Sequence, residues 1–302
     1  MDVVSDWSPL HDAAIHGHLL TLRNLISQLG GHMTLRVVTE CYGGLSSILA
    51  QSPILNPVQP KRPAKKGWPV NIITADYVSP LHEACLRGHL SCANVLVSHG
   101  AQVNGMAIDW RTPLFNACVG GSQDCVNLLL KHGAAPHPES DLASPIHEAA
   151  KRGHVGCIES LATYGANIDY NISHLGTPLY VACKNQQVAC AKKLLESGAS
   201  VDQGKGLDSP LHAAARMLNG ELVHLLMDFG ANAQAKNAEG KRPVELVPPG
   251  SPLSEIFLER EGPLSLMQLC RLRIRKCFGV RQHHKISGLL LPEDLKRFLL
   301  HL

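Results

Sequence analysis

Short apolar runs alternate with polar breaks along most of the chain, and the alternation repeats itself. Each unit opens on a polar residue and a proline, then an apolar run: Ser8-Pro9-Leu10-His11, Ser79-Pro80-Leu81-His82, Thr112-Pro113-Leu114-Phe115, Ser144-Pro145-Ile146-His147, Thr177-Pro178-Leu179-Tyr180 and Ser209-Pro210-Leu211-His212. A decayed seventh copy reads Arg242-Pro243-Val244-Glu245. From Pro80 onward the prolines recur in near-equal steps, at Pro113, Pro145, Pro178, Pro210 and Pro243. Leu25, Leu96, Leu129, Leu161, Leu194 and Leu226 each stand at one fixed distance after the first six prolines. A Gly-Ala pair follows at a second fixed distance in five units, at Gly100, Gly133, Gly165, Gly198 and Gly230. Each marker has a physical reading. Ser or Thr caps a helix, and Pro at the first helical position gives up no hydrogen bond. A second helix runs through the leucine, and Gly ends it in a left-handed conformation. The pattern therefore predicts two short antiparallel helices and a projecting turn per unit. One such unit cannot bury its apolar face alone, so the units must stack.

The unit resembles the ankyrin repeat, with Ser/Thr-Pro-Leu-His at a period near 33, over residues 7–246. The resemblance implies an all-α fold: an ankyrin-repeat solenoid of helix pairs with projecting turns. The step from Pro9 to Pro80 is too long for one unit, and the excess matches the length of Leu29–Lys66. Removing that segment restores the register and aligns Val70-Asn71 with Val103-Asn104. Residues 29–66 are expected to be a disordered insertion. The segment carries five basic residues and one acid, so without it the net charge falls from +3 to −1. A functional alternative is a docking or localisation loop, through Lys61-Arg62-Pro63-Ala64-Lys65-Lys66 or the Pro-x-x-Pro spacings of Pro57, Pro60 and Pro63.

Composition narrows the classes. With 302 residues, 45% apolar and 18% charged, the chain is not disordered throughout. Only 4% is aromatic, which suits a thin core of small aliphatic side chains. A net charge of +3 argues for no nucleic-acid partner, and no apolar run approaches the ~18 residues of a membrane span. The acidic opening Met1–Trp7 shows no signal-peptide pattern. The expected location is cytoplasmic, within the cell, with nuclear and mitochondrial pools left open, and the ten cysteines are expected as thiols. The 17 histidines follow the register instead of clustering, as at His11, His82, His147 and His212. Cys85, Cys118 and Cys183 lie five residues after their prolines, and Cys92, Cys125, Cys157 and Cys190 twelve after. They read as small buried hydrophobes, so no metal and no cofactor is expected. No nucleophile elbow, P-loop or zinc-protease motif occurs, so no enzyme is expected.

Residues 247–262 read as a terminal capping segment, and Gly262-Pro263 opens a different module, 263–302. Leu266, Cys270 and Ile274 recur every four residues on one helical face, with Leu269 beside them. Further on come Leu291, Pro292, Leu295, Phe298 and Leu299, with Glu293-Asp294 placed to start a helix. The first set resembles the elongin-binding element of a SOCS box, and the second resembles its cullin-binding element. The family pattern usually continues Leu-Pro with an apolar residue and another Pro, where this chain has Glu293 and Asp294. The whole chain is similar to the ankyrin-repeat and SOCS-box family. That resemblance implies a non-catalytic substrate receptor of a cullin-RING ubiquitin ligase, holding elongin C with elongin B, and a cullin of the fifth type with its RING protein. It also implies a client protein on the repeats, with creatine kinase suggested. The turns and first helices place Arg87, Asp109, Trp110, Lys151, Arg152 and Lys184 on the expected client face. The competing class is a plain ankyrin scaffold or nuclear regulator with no ligase role.

Overall fold

The computed structural model describes residues 8–27, 69–137, 144–259, 274, 288 and 290–300. The insertion 29–66 lies outside the described residues. Six helix pairs follow one another: α1 (Pro9–Ile15) and α2 (Leu19–Ser27), α3 (Pro80–Leu86) and α4 (Leu90–Ser98), α5 (Pro113–Gly120) and α6 (Gln123–Lys131). They continue as α7 (Pro145–Arg152) and α8 (Val155–Thr163), α9 (Pro178–Lys184) and α10 (Val188–Glu196), α11 (Pro210–Arg216) and α12 (Gly220–Asp228). A 3₁₀ turn, Pro243–Leu246, stands where a seventh first helix would begin, and α13 (Pro252–Glu259) packs against α12. Near the C-terminus lies α14 (Glu293–Leu300). Among the described residues β structure is limited to two isolated bridges, Ile172 with Gly176 and Lys205 with Asp208.

The markers do what their chemistry dictates. Thr112 and Thr177 accept a hydrogen bond from the backbone N–H of Phe115 (3.2 Å) and Tyr180 (3.3 Å), and each following proline opens its helix. The Gly of each Gly-Ala pair has φ between 84° and 98°. First helices stack on first helices, and second on second, in one row each. The core between the rows is built of small aliphatics: Leu81, Leu96, Leu129, Leu161, Leu194 and Leu226 are fully buried. The seven described cysteines are free and buried among them. Leu25 is the exception to the leucine column; it is half-buried, because among the described residues its unit has a neighbouring unit on one side only. Gly120 is needed for a different reason from the Gly-Ala glycines: a Cβ there would lie 2.2 Å from the Leu86 carbonyl oxygen, so only glycine lets α5 approach α3.

Polar bonds repeat with the units as well. His11, His82, His147 and His212 each use both ring nitrogens. Nδ1 meets its own cap hydroxyl at 2.8 Å in all four cases. Nε2 donates to a backbone carbonyl of the next unit: Val78 (2.9 Å), Arg111 (3.1 Å), Gly176 (2.9 Å) and Lys241 (3.1 Å). Each acceptor is the residue just before the next cap. Because Nδ1 of His82 and His212 also accepts a cap N–H, these rings are neutral, with the proton on Nε2. The first unit joins the second by the same bond, and α1 packs directly on α3 although residues 28–68 intervene in the chain.

Candidate protein-binding surfaces

Two parts of the molecule could hold another protein: the exposed side of the turns and first helices, and the C-terminal module. On the first, the turn before α5 and the helices α5 and α7 enclose a groove of about 500 Å³. Ile108, Trp110, Arg111 and Phe115 line one wall, and Glu148, Lys151 and Arg152 the other, with Asp109 at the rim. Four residues expected on the client face, Asp109, Trp110, Lys151 and Arg152, thus meet in one place. Arg87 and Lys184 are exposed on the same register of neighbouring units, outside this groove.

The groove's charges are paired but not spent. Arg111 sits 2.8 Å from Asp109, and its guanidinium lies over the Phe115 ring at 5.6 Å. Arg152 donates to Glu148 at 2.5 Å, while Lys151 stands 3.8 Å from the same carboxylate. Two cations therefore share one acid. Exposed pairs of this kind contribute only about 0–1 kcal/mol, so a partner can take these charges at little cost. Arg216 is different: it holds Asp208 through both terminal guanidinium nitrogens. Burial pushes the Asp208 carboxyl up, but Arg216 outweighs it and keeps the carboxyl below its usual range.

The structure also shows a column that the sequence reading passed over. The residue three places before the proline projects from four of the described turns: Tyr77, Trp110, Leu175 and Leu207 are all exposed, Trp110 by 47% and Leu207 by 67%. Ile108 is 65% exposed beside Trp110. Tyr77 and Trp110 have φ of 60° and 64°, a conformation that bulky residues rarely adopt. The signal was in the register, since apolar residues recur at this turn position where a solvated turn would carry polar ones.

In the C-terminal module, Leu266, Leu269 and Cys270 lie outside the described residues. Ile274 is helical and half-buried. Leu295 and Lys296 close the first turn of α14 on the Pro292 carbonyl oxygen, both at 3.0 Å. Along this segment Leu291 and Phe298 are half-buried, Pro292 and Leu295 exposed, and Leu299 buried. Among the described residues no group of three or more His, Cys, Asp or Glu could hold a metal ion, and no helix is long and apolar enough to cross a membrane.

Stacked helix pairs with projecting turns define an ankyrin-repeat protein. The SOCS box family profile matches residues 262–300, and ankyrin repeat profiles match 64–140, 135–205 and 207–238. The chain is 76% identical over 301 residues to Ankyrin repeat and SOCS box protein 9 of Mus musculus, covering 100% of this chain and 91% of that protein. The protein of the same name from Homo sapiens is 68% identical over 301 residues, covering 100% and 90%. The crystal structure of the human ASB11 ankyrin repeat domain matches with a TM-score of 0.68 at 46% identity, over 86% of this chain and 100% of that one. The chain belongs to the ankyrin repeat and SOCS box family.

Proposed function

We infer that this chain is the substrate-recognition subunit of a cullin-RING E3 ubiquitin ligase. The observation that carries the reading is the pairing of a SOCS box match at 262–300 with a repeat stack that exposes a groove. Residues 7–246 hold the client, with 29–66 as an insertion and 247–262 as the terminal cap. Residues 263–302 hold elongin C with elongin B, and a cullin of the fifth type with its RING protein. Leu266, Leu269, Cys270 and Ile274 face elongin C. Leu291, Pro292, Leu295, Phe298 and Leu299 form the cullin-side element. The chain makes and breaks no bonds itself and works in the cytoplasm. It raises the effective concentration of client lysines near the charged conjugating enzyme. Creatine kinase is the client that the family resemblance suggests, and the groove at Trp110 is the seat we assign to it.

The test is elongin binding. A leucine anchor buried at an interface costs about 2 kcal/mol or more when truncated, so Leu266→Ala is expected to weaken elongin B/C binding by at least about 10-fold. Cys270→Phe is expected to do the same by overpacking. Titration of both variants against elongin B/C, with melting curves alongside, checks this. Unchanged affinity in a folded Leu266→Ala protein would leave a plain ankyrin scaffold as the reading.

A further inference from the structure

We propose that the client segment taken by the repeats is acidic at both ends and apolar in the middle. Its carboxylates face Arg87 on one side and Lys151, Arg152 and Lys184 on the other, and its apolar side chains lie against Trp110 and Ile108. This rests on reading the repeats as the client-binding part, and it adds the client's chemistry.

Register carries the argument. Cations stand six or seven residues after the proline in the second, fourth, fifth and sixth units: Arg87, Lys151 with Arg152, Lys184 and Arg216. The third unit breaks the row. Its two corresponding residues are Val119 and Gly120, and Gly120 has no room for a side chain. In that gap stand the exposed Ile108 and Trp110, with Phe115 buried beneath them. The face therefore reads cation, apolar block, cations.

Counting the acids leaves this face positive. Arg216 is fully engaged by Asp208. Glu148 is shared between Lys151 and Arg152. Glu83, beneath Arg87, is buried, and burial raises its carboxyl pKa against the pull of Arg87. Among the described residues Lys184 has no carboxylate within ion-pair distance; the matching place three residues after the proline is Val181, where the second and fourth units have Glu83 and Glu148. Outside the insertion the chain is net negative, so positive charge is gathered here against the average. A nucleic acid fits less well, because its evenly spaced phosphates would also meet Asp109 and Glu148 in the groove, where the proposed segment is apolar. Packed helices lie about 8–10 Å apart, so Arg87 to Lys184 spans three steps, on the order of 30 Å. An extended chain covers that in about nine residues at roughly 3.3 Å each.

The probe is a displayed library of random peptides of about 12 residues, selected on the full-length chain, with enriched peptides remade and titrated by fluorescence polarisation. The expected consensus has acidic residues flanking at least one large apolar residue. Lys151→Glu with Arg152→Glu, and separately Trp110→Ala, are each expected to weaken binding by at least about 10-fold. Lys131→Glu, on the exposed face of α6, is expected to change it less than about two-fold. Raising salt from about 0.05 to 0.5 M should weaken binding several-fold. Circular dichroism checks that the variants fold, and Lys184→Glu replaces the double reversal if that one does not. A neutral or basic consensus, no consensus, equal loss in Lys131→Glu, or displacement of the peptide by single-stranded DNA overturns the proposal. Elongin B/C affinity is measured on the same proteins: acidic-peptide binding without elongin binding removes the ligase reading and keeps this one.

Discussion

At the scale of single residues, four described residues other than glycine have positive φ, and one of them stands in the groove. A bulky residue at positive φ costs on the order of 1–3 kcal/mol, and such residues gather at functional sites. Trp110, at φ 64°, is one of them, and it is the largest side chain in the groove wall. Trp110→Gly should relieve the strain, less the entropy glycine costs the fold, and raise the melting temperature by about 2–4 °C. The same variant should lose client-peptide binding; a melting curve and a titration on one preparation check both. A second residue-scale prediction comes from comparing units. Asn71 and Asn104 each donate from Nδ2 to the glycine carbonyl of the next unit (Gly100 and Gly133, 3.0 Å) and accept a backbone N–H through Oδ1. Asp169 and Asp202 accept the equivalent N–H, from Ser200 at 2.9 Å and Asn232 at 2.8 Å, but an ionised carboxylate has no hydrogen to donate. Burial raises both carboxyl pKa values. Raised folded values mean stability that is present at low pH and lost as pH rises through them. Asp169→Asn and Asp202→Asn should each stabilise by about 0.5–1.5 kcal/mol at pH 7, and by less near pH 4. Urea unfolding at the two pH values checks the sign.

At the scale of elements, four of the six first helices are tied to the next unit by the histidine at the fourth position of the repeated element. Burial pushes the His82 pKa down to about 4, and His11 is lowered for the same reason. A lowered folded value means stability that is complete above the ordinary histidine range near 6.5 and is lost as pH falls toward 4. His82→Phe, the residue this chain already uses at position 115, should cost about 1–3 kcal/mol at pH 7, because the Arg111 carbonyl loses its donor. It should also flatten the fall in melting temperature between pH 6.5 and 4, which melts at stepped pH would show. Here the limits of the sequence are plain. The Ser/Thr-Pro opening, the leucine column and the Gly-Ala ends were legible, because capping, burial and φ act within a few residues. The fourth-residue histidine was legible as a repeated structural position. Its acceptor was not, because that carbonyl is brought to it by stacking. Arg87, Lys151, Arg152 and Lys184 could be placed on one face from spacing alone, whereas the convergence of Trp110 with Arg152 needed the packing of α5 on α7.

At the scale of the whole molecule, stability is a sum of units and junctions. The first junction forms across the insertion: α1 packs on α3, and His11 reaches Val78. Deleting residues 29–66 should therefore leave a cooperative melt. Loop-closure cost grows slowly with length, so the gain should be at most about 2 kcal/mol. A deletion that fails to fold would show that the segment packs on the stack.

The fourth-residue bond is not made at every junction. It joins the first unit to the second, the second to the third, the fourth to the fifth and the sixth to the closing turn. Between the fifth and sixth, the Tyr180 hydroxyl donates to Asp208 at 3.3 Å instead. Between the third and fourth the residue is Phe115, which has no polar hydrogen to donate, and the groove straddles that junction. Among the described residues this junction lacks the ring-to-carbonyl bond, and the groove we assign to the client lies across it. A client seated there would touch both units at once and supply from outside the tie that a phenylalanine cannot.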